Sequence, residues 1–219
     1  MRKLKIVCVF LSFALVLCGC KQDCPYEKYV SNLQRDIYYG NINGINISAT
    51  YGFREYPFIN DGVAGTRVYG YVFKVDIIPD DIHRSIELES DGKTYAATFE
   101  TDKVSGEYKA VIEINEYFEK TFNATFICGS EKNSVVFNSI LPENCLTYEQ
   151  TLQTLISEQS SLLNAYSNGE FFNAEIYMRV FVRNDAPYWY IGIASGNDKL
   201  KAFLIDGVSG KLIAVRDIF

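Results

Sequence analysis

Few side chains in this sequence are equipped for chemistry. His83 is the single imidazole. It sits in Asp80-Asp81-Ile82-His83-Arg84, where a buried His–Asp pair could activate a serine or a thiol. No Gly-x-Ser-x-Gly elbow accompanies it, so it reads as a loop histidine facing solvent. Asp76, Asp80 and Asp81, and later Asn197 and Asp198, carry oxygens suited to Ca2+. Neither group has EF-hand spacing, and acidic residues at strand ends are what turns require. No Cys-x-x-Cys occurs, so zinc has no ligand pattern. Cys24, followed by Pro25, has no fixed base beside it and reads as a redox or stray thiol. Paired carboxylates for glycoside hydrolysis meet in space rather than in sequence, and nothing here points to a pair. The residues therefore assign no catalytic group, no metal ligand and no cofactor.

Aromatic residues offer a binding lead instead. Phe53, Tyr56 and Phe58 flank Arg54-Glu55, and Tyr188-Trp189-Tyr190 follows Pro187. On a strand, Tyr188 and Tyr190 share one side and Trp189 takes the other. Exposed Tyr and Trp suit protein and sugar contacts. The competing reading has the same rings filling a core or a seam between domains.

The elements that would position these residues begin with a leader. Arg2, Lys3 and Lys5 are followed by an apolar run from Ile6 to Leu17, broken only by Ser12, and then by Leu17-Cys18-Gly19-Cys20. A basic start, an apolar core and small residues near a cleavage point make a secretory signal, too short for a comfortable transmembrane helix. Its end resembles the lipobox of bacterial lipoproteins, with Leu17 and Gly19 in the positions three and one before the modified cysteine. The resemblance implies that Cys20 carries a thioether-linked diacylglyceryl group and becomes the mature N-terminus after loss of residues 1–19. Two acyl chains hold a domain at a membrane where one would not.

The leader takes away three of the 21 basic residues and none of the 27 acidic ones, moving the formal charge from −6 to −9. That balance argues against nucleic acid and against a basic patch on anionic lipid. A hydrophobic fraction of 48% with 16 Tyr and 15 Phe supports a folded, β-leaning core. Cys24, Cys128 and Cys145 remain once Cys20 is lipidated. Sequence distance favours a Cys128–Cys145 bridge, with free buried thiols an equal alternative.

Residues 20–39 read as a tether. Within it Tyr26, Tyr29, Val30, Leu33, Ile37 and Tyr38 form a helical stripe, so a short helix is expected over 25–38. Strands are expected at 45–51, 67–78, 85–89, 94–100, 108–114, 121–128 and 133–140, with a tight turn at Asp91-Gly92. Turns every 8–12 residues fit a β-sandwich. In layout, residues 40–142 resemble a bacterial immunoglobulin-like domain that lacks the core Trp and the disulfide of antibody domains. After Pro142, Thr147 and Gln150 form a capping-box pair that opens a helix over 147–167. Leu152, Leu155, Ile156, Leu163 and Tyr166 make its apolar stripe. Strands at 174–182, 187–193, 199–206 and 211–217 complete a small α+β unit. The helix, the strands and Ile205-Asp206-Gly207-Val208-Ser209-Gly210-Lys211-Leu212 are similar to the PepSY family, whose members are thought to modulate peptidases.

The expected molecule is thus mainly β with two domains: an immunoglobulin-like β-sandwich at 40–142 and an α+β, PepSY-like domain with one helix on an antiparallel sheet at 146–219. The expected role is non-enzymatic binding or scaffolding in the bacterial envelope. The membrane is reached through the lipid on Cys20, and the partner is an envelope protein, a peptide or a wall polymer; modulation of a peptidase is a narrower version. A solute-binding lipoprotein for a sugar or peptide is the second reading, and an envelope hydrolase built on scattered carboxylates the third.

Overall fold

The computed structural model describes residues 24–56, 63–76, 82–168, 171–195 and 199–218. The leader, Cys20, Phe58, Asp80, Asp81 and the Gly196–Asp198 turn lie outside them. The described residues are mainly β with a single α-helix, in the order β1 (Val30–Ile42), β2 (Ile45–Glu55), β3 (Arg67–Val75), β4 (Arg84–Ser90), β5 (Lys93–Thr98), β6 (Glu100–Thr101), β7 (Tyr108–Glu113), β8 (Thr121–Cys128), β9 (Glu131–Ser139), α1 (Tyr148–Ala165), β10 (Ser167–Asn168), β11 (Phe171–Phe172), β12 (Ala174–Arg183), β13 (Ala186–Ser195), β14 (Lys199–Asp206) and β15 (Leu212–Ile218). Among the described residues no helix is long and apolar enough to cross a membrane.

Tight turns set the hairpin registers. Asn43-Gly44 and Asp91-Gly92 both have positive φ at each central residue, as type I′ turns demand, and Asn184-Asp185 does the same between β12 and β13. Asp102 and Asp206 close two turns of one design. In each, one carboxylate oxygen accepts from the backbone N–H two and three residues on and from the serine hydroxyl of Asp-x-Val-Ser-Gly. The glycine N–H then donates back to the Asp carbonyl. Both carboxyls are held below their ordinary range, Asp102 first by the Lys109 ammonium at 2.6 Å and then by the turn donors, Asp206 by the turn donors.

One sheet path runs β15-β14-β13-β12-β1-β2-β3-β7-β6, and β4, β5, β8 and β9 form a second group that rejoins it through β9 and β1. Two cores result. In the first, Leu152, Leu155 and Leu163 of α1 pack with Ile176, Met178, Trp189, Ile191 and Phe203 and with Leu33 of β1. The second is aromatic, with Tyr38, Tyr71, Phe73, Phe122, Phe126 and Phe137 buried together. Phe122 and Phe137 stack at 4.9 Å and 9°. Each such ring contributes about 1.5–3 kcal/mol by leaving water.

β1 is the strand on which both cores depend, and the helix expected at 25–38 is not there. Only a single 3-10 turn, Glu27–Tyr29, precedes the strand. Two causes produce the false helical spacing. β1 is buried by both cores, so its apolar residues do not alternate. A bulge between Gln34 and Asp36 then adds one residue to the period of two. Val30, Leu33 and Ile37 are left three and four apart, the signature of a helix. What reads as a tether is therefore a sheet strand. The expected boundary at 142–146 falls on the segment that crosses from β9 to α1.

The helix itself follows its sequence signal. Thr147 Oγ1 accepts from the Gln150 N–H at 3.3 Å and Gln150 Oε1 accepts from the Thr147 N–H at 2.9 Å. Gln159 has φ −125° and ψ 27°, which kinks the helix midway.

Candidate functional site

The bulge in β1 marks a fork. Before it, Val30–Gln34 run parallel to Ile176–Arg179 of β12. After it, Tyr38 and Tyr39 pair antiparallel with Ser139 and Asn138 of β9. β1 thus changes its neighbour on one edge while keeping β2 on the other. Where two neighbouring strands part, the sheet cannot close, and a crevice forms. The crossing segment Leu141–Thr147 passes over this point, and a cleft of about 470 Å3 opens there. That volume lies within the ~300–1,000 Å3 range of small-ligand sites.

The bulge re-aims Arg35 and Asp36 toward the cleft. Asp36 is 2% exposed. Its Oδ1 accepts from Ser139 Oγ at 2.7 Å and from the Ile37 N–H at 2.7 Å, and its Oδ2 accepts from the Tyr117 hydroxyl at 2.9 Å. Burial pushes the carboxyl pKa up, and the donors from Ser139, Tyr117 and Ile37 pull against it. Tyr117 is in turn pushed up to about 12 by burial and by the adjoining Asp36. Tyr117 thus remains a hydrogen-bond donor at neutral pH.

The Arg35 guanidinium lies 4.1 Å from the centroid of the Tyr117 ring and 5.8 Å from that of Tyr148. Both distances are within cation–π reach. Tyr148, the first residue of α1, is fixed by donating its hydroxyl to Glu27 at 2.9 Å. The Trp189 indole N–H donates to the Leu146 carbonyl at 3.0 Å, which ties the crossing segment to β13. Cys145 lines the same wall, and its thiol is pushed up to about 11 by burial first and by Asp36 second. It is protonated at neutral pH and is a poor nucleophile there. At the rim Lys120 pairs with Glu143 at 2.7 Å, both side chains well exposed.

The residues expected from sequence fall elsewhere or into other roles. Phe53 and Trp189 are buried at 5% and 1%, so neither is surface; they fill the helix-side core. This is the outcome of burying strand residues that share a face with core neighbours. Tyr188 is half-buried and stacked on Phe181 at 5.6 Å, and Tyr190 is half-buried with Arg179 4.9 Å from its ring centre. Tyr56 alone of the five described aromatic candidates stands mostly in solvent, at 67%. Cys128 and Cys145 are not bridged; both are free, half-buried, and packed against different cores. Cys24 is half-buried against the helix-side core, and burial raises its thiol. His83 is exposed just before β4 and does not line the cleft. Among the described residues no cluster of three His, Cys, Asp or Glu could hold a metal ion.

Arg35, Asp36, Tyr117 and Tyr148 were not singled out by the sequence. One signal was present: Asp36 interrupts Tyr29, Val30, Leu33, Ile37 and Tyr38, and an acid amid core positions must be held by donors. The donors themselves, from residues 117 and 139, come together only through the fold. No family model matches the chain, and neither a curated protein nor a solved structure is similar to it.

Proposed function

We propose that this is a lipid-anchored, extracytoplasmic binding protein of the bacterial envelope, and that its ligand or partner enters the cleft at the fork of β1. The observation that carries the binding role is the cleft itself: side chains from β1, β9, α1 and β13, and from the crossing segment, converge on one opening. Groups placed by both cores on one concavity are the usual make-up of a recognition site. The chemistry favours binding over turnover. The Cys145 thiol is protonated at neutral pH, and the oxygens of Asp36 are already occupied by three donors.

The anchor rests on the Leu17-Cys18-Gly19-Cys20 lipobox, and the architecture is read as an immunoglobulin-like unit joined to a PepSY-like one through the shared strand β1. A peptidase modulator is the narrower form of the proposal. The solute-binding reading is also favoured by the cleft, because its volume suits a small molecule.

Two experiments test these parts separately. Radiolabelled palmitate should enter the full-length protein and be lost in Cys20→Ala; equal labelling of both removes the lipid anchor. A photocrosslinking residue at position 119, on the cleft rim, should capture a discrete envelope component in cells, whereas one at the exposed Val104 should not. Equal capture at the two positions removes the cleft as the contact site.

A further inference from the structure

We infer that the cleft at the β1 fork takes a short zwitterionic peptide, whose carboxylate is read by Arg35 and whose ammonium group is met by Glu119. This rests on the cleft being the binding site. Two charges on the cleft wall lack an ion-pair partner among the described residues. Of the charged groups on the cleft wall, Lys120 and Glu143 neutralise each other at 2.7 Å, and Asp36 is satisfied by three donors. Arg35 and Glu119 remain, and among the described residues neither makes an ion pair.

Arg35 is held in a defined pose. Tyr117 and Tyr148 contact its guanidinium through their rings. Neither ring offers a carboxylate or carbonyl acceptor, so the N–H fork of Arg35 is left for a ligand that does. That fork matches the two oxygens of a carboxylate and binds them bidentately. A phosphate dianion fits less well, because one uncompensated cation stands against one uncompensated anion at the rim. A ligand that carries both signs balances the site; a purely anionic one meets Glu119, and a purely cationic one meets Arg35. The rest of the wall mixes apolar Leu141, Pro142 and Leu146 with polar Ser139 and Thr147, which suits the amide backbone and small side chains of a di- or tripeptide.

Trp189 is the only tryptophan of the chain; it is buried behind the cleft wall and its indole N–H is bound to the Leu146 carbonyl there, so its emission follows changes in that wall. The full-length protein in detergent micelles would be titrated with tri-alanine, with tri-alanine amide and with N-acetyl-tri-alanine. Tri-alanine should bind saturably and the amide at least about tenfold more weakly, since a hydrogen-bonded charge is lost. The acetylated peptide should be weakened less, because Glu119 is exposed and screened. Arg35→Gln should bring the acid and the amide to equal affinity, and Arg35→Lys, which keeps the charge without the fork, should lie between. Equal binding of acid and amide by the unaltered protein overturns the role of Arg35 while leaving the cleft reading intact, and this comparison needs no variant to fold. If none of the three peptides moves the Trp189 emission, the peptide inference fails; crosslinking from position 119 then decides the cleft reading independently.

Discussion

Asp36 holds the fork of β1 together by accepting from Ser139 of β9 and from Tyr117 of the β7–β8 connection. Those two donors are 103 and 81 residues away in the chain. Removing the acceptor leaves buried donors without partners. Asp36→Ala should therefore cost about 2–4 kcal/mol in urea unfolding, and Asp36→Asn less, because the amide oxygen can still accept. The pH dependence separates the charge from the hydrogen bonds. Burial is the largest influence on Asp36 and raises its pKa above the unfolded value. The folded state thus binds the proton more readily than the unfolded chain. The stabilisation from protonation is fully present below the unfolded pKa of about 3.9 and is lost as pH rises through the higher folded value. Relative to Asp36→Asn, the parent protein should be favoured most at pH 3.5 and progressively less toward pH 7. A difference that grows with pH would mean that the donors outweigh burial.

At the scale of elements, β1, β2, β3 and β7 are drawn so close together that two positions in them tolerate no side chain. A Cβ at Gly52 would stand inside the carbonyl group of Leu33 on β1, and one at Gly70 inside that of Ile112 on β7. Both obstacles are backbone, so neither can swing aside. Gly52→Ala and Gly70→Ala should each cost about 1–3 kcal/mol by overpacking, whereas Gly65→Ala, whose Cβ would meet only the Glu55 side chain at ordinary distance, should stay within about 0.5 kcal/mol. Thermal melts of the three variants would check the ranking, and a neutral Gly52→Ala would show that the strands can part at the fork. The same strands show what sequence could and could not reveal. Thr147 with Gln150 announced α1, and Asp91-Gly92 announced the β4–β5 hairpin, because capping and turn chemistry are local. β1 was misread because its two-sided burial and its bulge are tertiary facts that erase the period of two. The cleft was hidden for the same reason. Its cation sits inside that bulge, and its tyrosines, residues 117 and 148, belong to segments that meet only across the seam.

Over the whole molecule, the sharing of β1 makes the two cores dependent on each other. Leu33 and Ile37 belong to the helix-side core and Tyr38 to the aromatic one, all within six residues of a single strand. Losing the aromatic core would release β1, and β12 would then lose its parallel neighbour along Ile176–Arg179. Each core would expose apolar surface that the other now covers, at about 25 cal/mol per Å2. Independent unfolding of either half is therefore unfavourable, and the protein should unfold in one cooperative transition. The chain carries its own probes. Trp189 fluorescence follows the helix-side core, while near-ultraviolet circular dichroism is dominated by the many tyrosines, several of them in the aromatic core. Urea curves from the two signals should coincide, and Leu155→Ala, on the helix, should shift both midpoints together by a cost of about 2–5 kcal/mol. Separate midpoints, or a shift confined to the Trp189 signal, would show that β1 can leave one core without the other. The fork would then be a hinge between independent domains, and ligand binding in the cleft would be expected to change their relative orientation.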